Sequence, residues 1–93
     1  MPTQELLEKL RNNIRSMIDN FISPDELRST LKFVEMRIGH IEERMPAWDN
    51  LEKCLLEDGD FKRLVPTKEL MSFDEQELSM MLDFQKEILF KLE

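Results

Sequence analysis

The chain has 93 residues, of which 41% are apolar and 35% charged, and its formal net charge is −7. A domain of this size buries only about 60% of the surface of its unfolded chain, which leaves little room for a deep catalytic cleft beside a core. The acidity disfavours binding to nucleic acids and anionic membranes, and a composition with two glycines, four prolines and no tyrosine disfavours many short strands joined by tight turns.

The first predicted element is an amphipathic helix over about residues 3–21. Its apolar side chains recur every three or four residues and cover roughly 160° of the helix circumference, at about 100° per residue. They are Leu6, Leu7, Leu10, Ile14, Met17, Ile18, Phe21 and Ile22. A stripe of this width exceeds what one helix contact needs, so helix 1 should touch more than one neighbour.

Helix 2 is predicted over about residues 24–45. At Ser23-Pro24-Asp25-Glu26 a serine can cap the helix, a proline takes the first helical position and a glutamate can complete a capping box. A heptad seam follows, formed by Leu27, Leu31, Val34, Ile38, Ile41 and Met45. The seam and the short link predict an antiparallel hairpin with helix 1, and Pro46 should end helix 2. Gly39 either admits a neighbouring helix closely or is merely tolerated.

The second half is predicted as a short helical segment over about residues 47–57 and a fourth helix over about 73–92. Trp48 is interpreted as a core anchor, Cys54 as a small buried side chain, and Asp58-Gly59-Asp60 as a turn. Ser72-Phe73-Asp74-Glu75 forms a second capping box, at which helix 4 should start. Its wide apolar face contains Leu78, Met80, Met81, Leu82, Phe84, Ile88, Leu89 and Leu92, while Phe90 falls outside it.

These patterns predict an all-α fold, a small antiparallel helical bundle built on the N-terminal helical hairpin. Residues 1–93 should form a single helical domain. The expected core consists of Leu10, Ile14, Met17, Leu31, Val34, Ile38 and Ile41.

The residues that support catalysis or metal binding are scarce. One histidine and one cysteine cannot form a zinc site alone, and Asp58-Gly59-Asp60 lacks the later ligands of a calcium loop. We therefore expect no catalytic residues, no metal and no cofactor. A lone cysteine fits a reducing compartment, no apolar run is long enough to span a membrane, and the polar start does not resemble a signal peptide. These features predict a cytoplasmic protein.

Two functional hypotheses follow from the surplus apolar surface. The first is a non-enzymatic protein-protein interaction protein of the adaptor, chaperone, immunity or inhibitor type, with a partner that has a basic surface. The second is a structural homo-oligomerisation module, and we expect a homodimer. A remote alternative is a histidine phosphotransfer domain using His40, although Glu43 and Arg44 stand where such domains typically place a lysine and a glycine.

The predicted partner-binding residues lie on helices 2 and 4. They are Phe33, Met36, His40, Met80, Phe84 and Phe90. The first three form a second stripe that the heptad seam does not need, so they either bind a partner or pack against a later helix of the bundle. Nearby acids, namely Glu35, Glu77, Asp83 and Glu87, are expected to steer a basic partner.

Overall fold

The computed structural model describes the backbone of residues 2–93 and the side chains of residues 4–93. Three helices account for nearly all of this range: α1 (Pro2–Asp19), α2 (Pro24–Asp58) and α3 (Phe61–Leu92). The predicted all-α class is confirmed, and no strand occurs within residues 2–93.

α2 corrects the predicted end of helix 2. The helix does not stop at Pro46 but continues to Asp58, so the segment over 47–57 is part of α2 rather than a separate element. An internal proline removes one backbone hydrogen bond and costs about 3 kcal/mol. Pro46 is exposed, while Ile41 and Leu55 on either side of it are buried. Packing along the whole length of α2 therefore offsets the local cost.

α3 likewise starts earlier than predicted. It begins at Phe61 and passes through both Pro66 and the expected capping box at Ser72. Its N-cap is Asp60, whose side chain accepts a hydrogen bond from the backbone N–H of Arg63. Residue 74 therefore lies inside α3 and not in its first turn. Its carboxylate does not receive the stabilisation that the helix dipole gives to acids at a helix N-terminus.

The two turns follow the expected sequences with one difference in detail. Ser23 is the N-cap of α2, but its side chain makes no capping hydrogen bond. Glu26 reaches back instead and accepts from the backbone N–H of Ile22 at 2.7 Å. The predicted turn at Gly59 is confirmed: its φ of 69° is left-handed, and the N–H groups of Gly59 and Asp60 bond to carbonyls of the last turn of α2, as in a Schellman motif.

α2 and α3 form a long antiparallel hairpin, and α1 covers only part of it. α1 runs parallel to α3, because Gln4 bonds to Gln76 and Arg15 bonds to Glu87. With 18 residues, α1 is about 27 Å long, whereas the molecule extends over 53 Å. We call the uncovered part of the hairpin, residues 45–58 and 61–73, the arm, and the opposite end the base.

The main core lies where all three helices meet. Its buried members are Leu7, Ile14, Ile18, Leu27, Val34, Ile38, Met80, Met81, Phe84 and Ile88. Of the predicted core, Ile14, Val34, Ile38 and Ile41 are buried, while Leu10 and Leu31 are only half-buried. Met17 is exposed, so its prediction is wrong. It lies at the edge of the stripe on α1, where a bundle of three helices provides no cover.

Candidate protein-binding surfaces

The three predicted binding residues of α2 are at the surface. Phe33, Met36 and His40 are all exposed, so none of the described helices covers the second stripe of α2. Phe33 lies on the same heptad face as Glu26 and His40, and Glu26 lies beside Met17 of α1. The stripe therefore borders α1 on the outer surface of the bundle.

Two predicted binding residues of α3 are instead part of the core. Met80 and Phe84 are 7% and 4% exposed. Met80 lies beside Leu7, and the guanidinium carbon of Arg15 is 5.1 Å from the centre of the Phe84 ring, within cation–π range. Most of the wide apolar face of α3 packs against its two neighbours, α2 and α1, although Leu82 and Leu89 of that face remain exposed. Met80 and Phe84 therefore present little surface to a partner in this conformation.

Phe90, the last predicted binding residue, lies at the base and apart from the α2 stripe. It is 77% exposed. Arg37 and Glu77 are in contact and mark one level of the α2–α3 hairpin. Measured from that level toward the base along the helix axes, Phe33 is about 6 Å away and Phe90 about 20 Å away. The predicted residues therefore do not form one continuous site.

A buried ion pair joins α2 to α3 next to the main core. Arg37 donates to both carboxylate oxygens of Glu77 at 2.7 Å, and the Glu77 side chain is only 2% exposed. Within the described residues, no buried side-chain nitrogen or oxygen lacks a hydrogen-bond partner. The carboxylate is paired and hydrogen-bonded, the condition under which a buried charge is tolerated.

A second polar cluster lies toward the arm. Arg44 donates to Asp74 at 2.9 and 3.1 Å, and the indole N–H of Trp48 donates to the same carboxylate at 2.8 Å. Burial by itself raises the pKa of Asp74, but the hydrogen bonds from Arg44 and Trp48 outweigh it and hold that pKa below its ordinary value. Trp48 is thus half-buried and anchored by a polar contact, rather than enclosed in an apolar core.

Two of the four acids that were expected to steer a partner are paired with arginines of the same chain. Glu77 is neutralised by Arg37, and Glu87 bonds to Arg15 at 2.6 Å, which raises the pKa of that arginine. Glu35 and Asp83 are exposed. Only the latter two are accessible for long-range attraction of a basic partner.

The arm carries exposed apolar side chains that were not among the predicted binding residues. They are Leu51, Leu56, Phe61, Val65 and Leu70, of which Phe61 and Val65 are 64% and 61% exposed. Cys54, expected in the core, is also exposed. Two packed helices bury only one side of each, and the described chain supplies no third helix at this end.

Part of this surface continues the path of α1. On α2, the face that meets α1 includes Thr30, and steps of seven from it lead through Arg37 and Arg44 to Leu51. On α3, that face includes Met80, and steps of seven lead back to Phe73 and Pro66. The heptad repeat keeps such positions on one side of a helix. We call the arm part of these faces the arm groove, and its exposed or half-buried residues are Ala47, Leu51, Cys54, Pro66, Leu70 and Phe73.

Comparisons of the chain with protein-family models, with curated proteins and with solved structures found no significant match. Within the described residues, no three His, Cys, Asp or Glu side chains are grouped so that they could hold a metal ion. None of the described helices combines the length and the apolarity needed to cross a membrane.

Proposed function

We propose that this protein is a cytoplasmic, non-enzymatic binding protein of the adaptor, chaperone, immunity or inhibitor type. It binds another protein through apolar helix faces. The observation that carries this proposal is the arm, where the α2–α3 hairpin extends beyond α1 and leaves large apolar side chains exposed. Large apolar side chains that remain exposed together in one part of a protein are a feature of interaction sites.

Affinity capture with the full-length protein tests this proposal. The arm variant Leu51→Gln/Leu70→Gln and the stripe variant Phe33→Ser/Met36→Gln are compared with a control, Leu6→Gln, which changes an exposed leucine on α1. We expect a partner that binds the wild type and the control and is lost from the arm variant or the stripe variant. If every captured protein binds all variants equally, these apolar faces are not the binding surface and the proposal fails.

The base favours the second candidate, a homodimer. Among the described large apolar side chains, Ile22 and Phe90 are the most exposed, at 89% and 77%. Both lie at the base, because Arg15 of α1 aligns with Glu87 of α3. A second copy that contacts this end would bury both side chains in an isologous interface.

Sedimentation of the wild type and of Phe90→Ser tests the homodimer. We expect the wild type to sediment as a dimer at micromolar concentration and Phe90→Ser to dissociate, since exposed aromatic anchors often dominate affinity. Phe61→Ser, on the arm, is the control and should remain dimeric. A monomeric wild type would reject the homodimer and leave the base without an assigned role.

A further inference from the structure

We infer that the arm groove binds an amphipathic helix of a different protein, with basic residues beside its apolar stripe, placed end to end with α1. This inference rests on the proposed function. It adds the location, the secondary structure and the charge of the bound segment.

The known occupant of the same faces argues for a helix. The same two faces of α2 and α3 that form the arm groove pack against α1 nearer the base. There α1 lies along α3 in a constant register, because Gln4 pairs with Gln76 and Arg15 with Glu87. The arm groove continues these faces without a change in heptad position. A segment that packs there in the same manner is therefore helical, with apolar residues at spacings of three, four and seven.

The dimensions of the groove fit a short helix. From Phe61 to Phe73 the arm spans 13 residues of α3, or about 20 Å, enough for between three and four turns of a partner. Leu51 and Leu70 offer large exposed apolar contacts, and the half-buried Phe73, which packs against the main core, lies at the end of the groove next to α1. Ala47 and Cys54 are small and lie seven residues apart on α2, so they allow another helix to approach closely.

The charges around the groove argue for a basic partner rather than a second copy. We define its rim by the exposed charged residues that lie three or four positions from groove residues, which are Glu43, Glu57, Asp58, Lys62, Arg63 and Glu69. Arg63 pairs with Asp60 at 3.5 Å. Four acids then face one unpaired lysine, so two copies of the arm would repel each other while lysines or arginines on a partner helix would be attracted.

Peptide binding to the full-length protein tests this inference. The probe is a labelled 16-residue helical peptide with leucines at heptad contact positions and lysines beside them, and its twin has glutamates in place of the lysines. We expect the lysine peptide to bind, to bind at least tenfold more weakly to Leu51→Gln/Leu70→Gln, and to weaken as salt rises. Leu56→Gln, which alters an exposed apolar residue on the side of α2 that faces away from the groove, should bind like the wild type.

A second variant, which changes charge instead of apolar surface, tests the groove even if Leu51→Gln/Leu70→Gln fails to fold. Glu57→Lys/Glu69→Lys changes only exposed side chains, so circular dichroism should show unchanged helix content while binding of the lysine peptide falls at least tenfold. Equal binding of both peptides, no binding, or binding unaffected by either variant would overturn the inference. So would self-association that Leu51→Gln abolishes, because it would assign the groove to a second copy. The proposed function would survive these results if captured partners depend on Phe33 and Met36.

Discussion

Asp74 and Glu77 occupy positions where a helical bundle ordinarily places apolar side chains. Each lies seven residues before a core residue of α3, Met81 and Phe84 respectively. Arg44 and Arg37 neutralise the two carboxylates, but the arginine side chains are themselves 42% and 30% exposed. Solvent screening therefore lowers the cost of removing one partner below the roughly 3–5 kcal/mol of a fully buried pair. We infer that the pairs also favour the observed alignment of the hairpin, since sliding α2 by one turn along α3 would separate both.

The lowered pKa of Asp74 predicts a specific loss of stability in acid. Because its folded pKa lies below the ordinary value of 3.8, its contribution is complete above about pH 3.8 and is lost as the pH falls through the folded value. Denaturant unfolding of the wild type and of Asp74→Asn should therefore give free energies that converge as the pH is lowered from 5 to 2.5. The exposed Asp83→Asn is the control and should follow the wild type. Parallel wild-type and Asp74→Asn curves would contradict the prediction.

The individual side chains of this cluster could not be assigned from the sequence. Ser72 and Glu75 resemble a helix start, and that resemblance placed Asp74 at a cap rather than inside a helix. Which cation reaches a carboxylate depends on the alignment of α2 with α3, which no local pattern specifies. The exposure of Phe33 and Met36 removes the alternative that their stripe packs against a later described helix, whereas the burial of Met80 depends on contact with α1.

At the scale of the elements, the heptad signal on α2 extends further than its local breaker suggests. Leu27, Val34, Ile41, Trp48 and Leu55 follow one another at intervals of seven residues. This repeat crosses Pro46 without interruption, and it predicts one long helix. The predicted end of helix 2 at Pro46 relied on the local effect of a proline and ignored the heptad repeat that continues on both sides of it. The packing of α2 against α3 along this repeat keeps the helix continuous.

Replacement by alanine should have opposite effects on the stability of the protein at its two glycines. A Cβ at Gly39 would meet no atom within 4 Å, so Gly39 is tolerated rather than required, and Gly39→Ala should stabilise the protein by about 1 kcal/mol. Gly59 has equal space but a left-handed φ of 69°, so Gly59→Ala should destabilise by about 1–2 kcal/mol. Denaturant unfolding measures both. A destabilising Gly39→Ala would indicate a close contact at that position.

The whole molecule is elongated rather than compact. Its radius of gyration is 16.2 Å, against about 12 Å for a compact domain of 93 residues. The all-α class and the antiparallel pairing of helices 1 and 2 could be predicted from periodicity and capping residues, whereas the long hairpin formed by α2 and α3 was not predicted. The unequal lengths of the helices were missed, because the local breakers Pro46 and Pro66 were given more importance than packing along the whole α2–α3 hairpin. The arm, and with it the candidate groove, follows from that inequality.

This shape predicts unequal local stability along the hairpin. Near the base, residues such as Val34 and Met81 are enclosed by three helices and are fully buried. In the arm only two helices pack, and fewer apolar contacts resist opening. Native-state hydrogen exchange should show backbone amides of residues 47–56 and 65–72 exchanging at least tenfold faster than those of 30–41 and 77–88. Binding of the lysine peptide should slow exchange in the arm, while the base, as the internal control, should change little. Equal protection throughout would show that the hairpin opens as one cooperative unit and that the arm is not a separately mobile part.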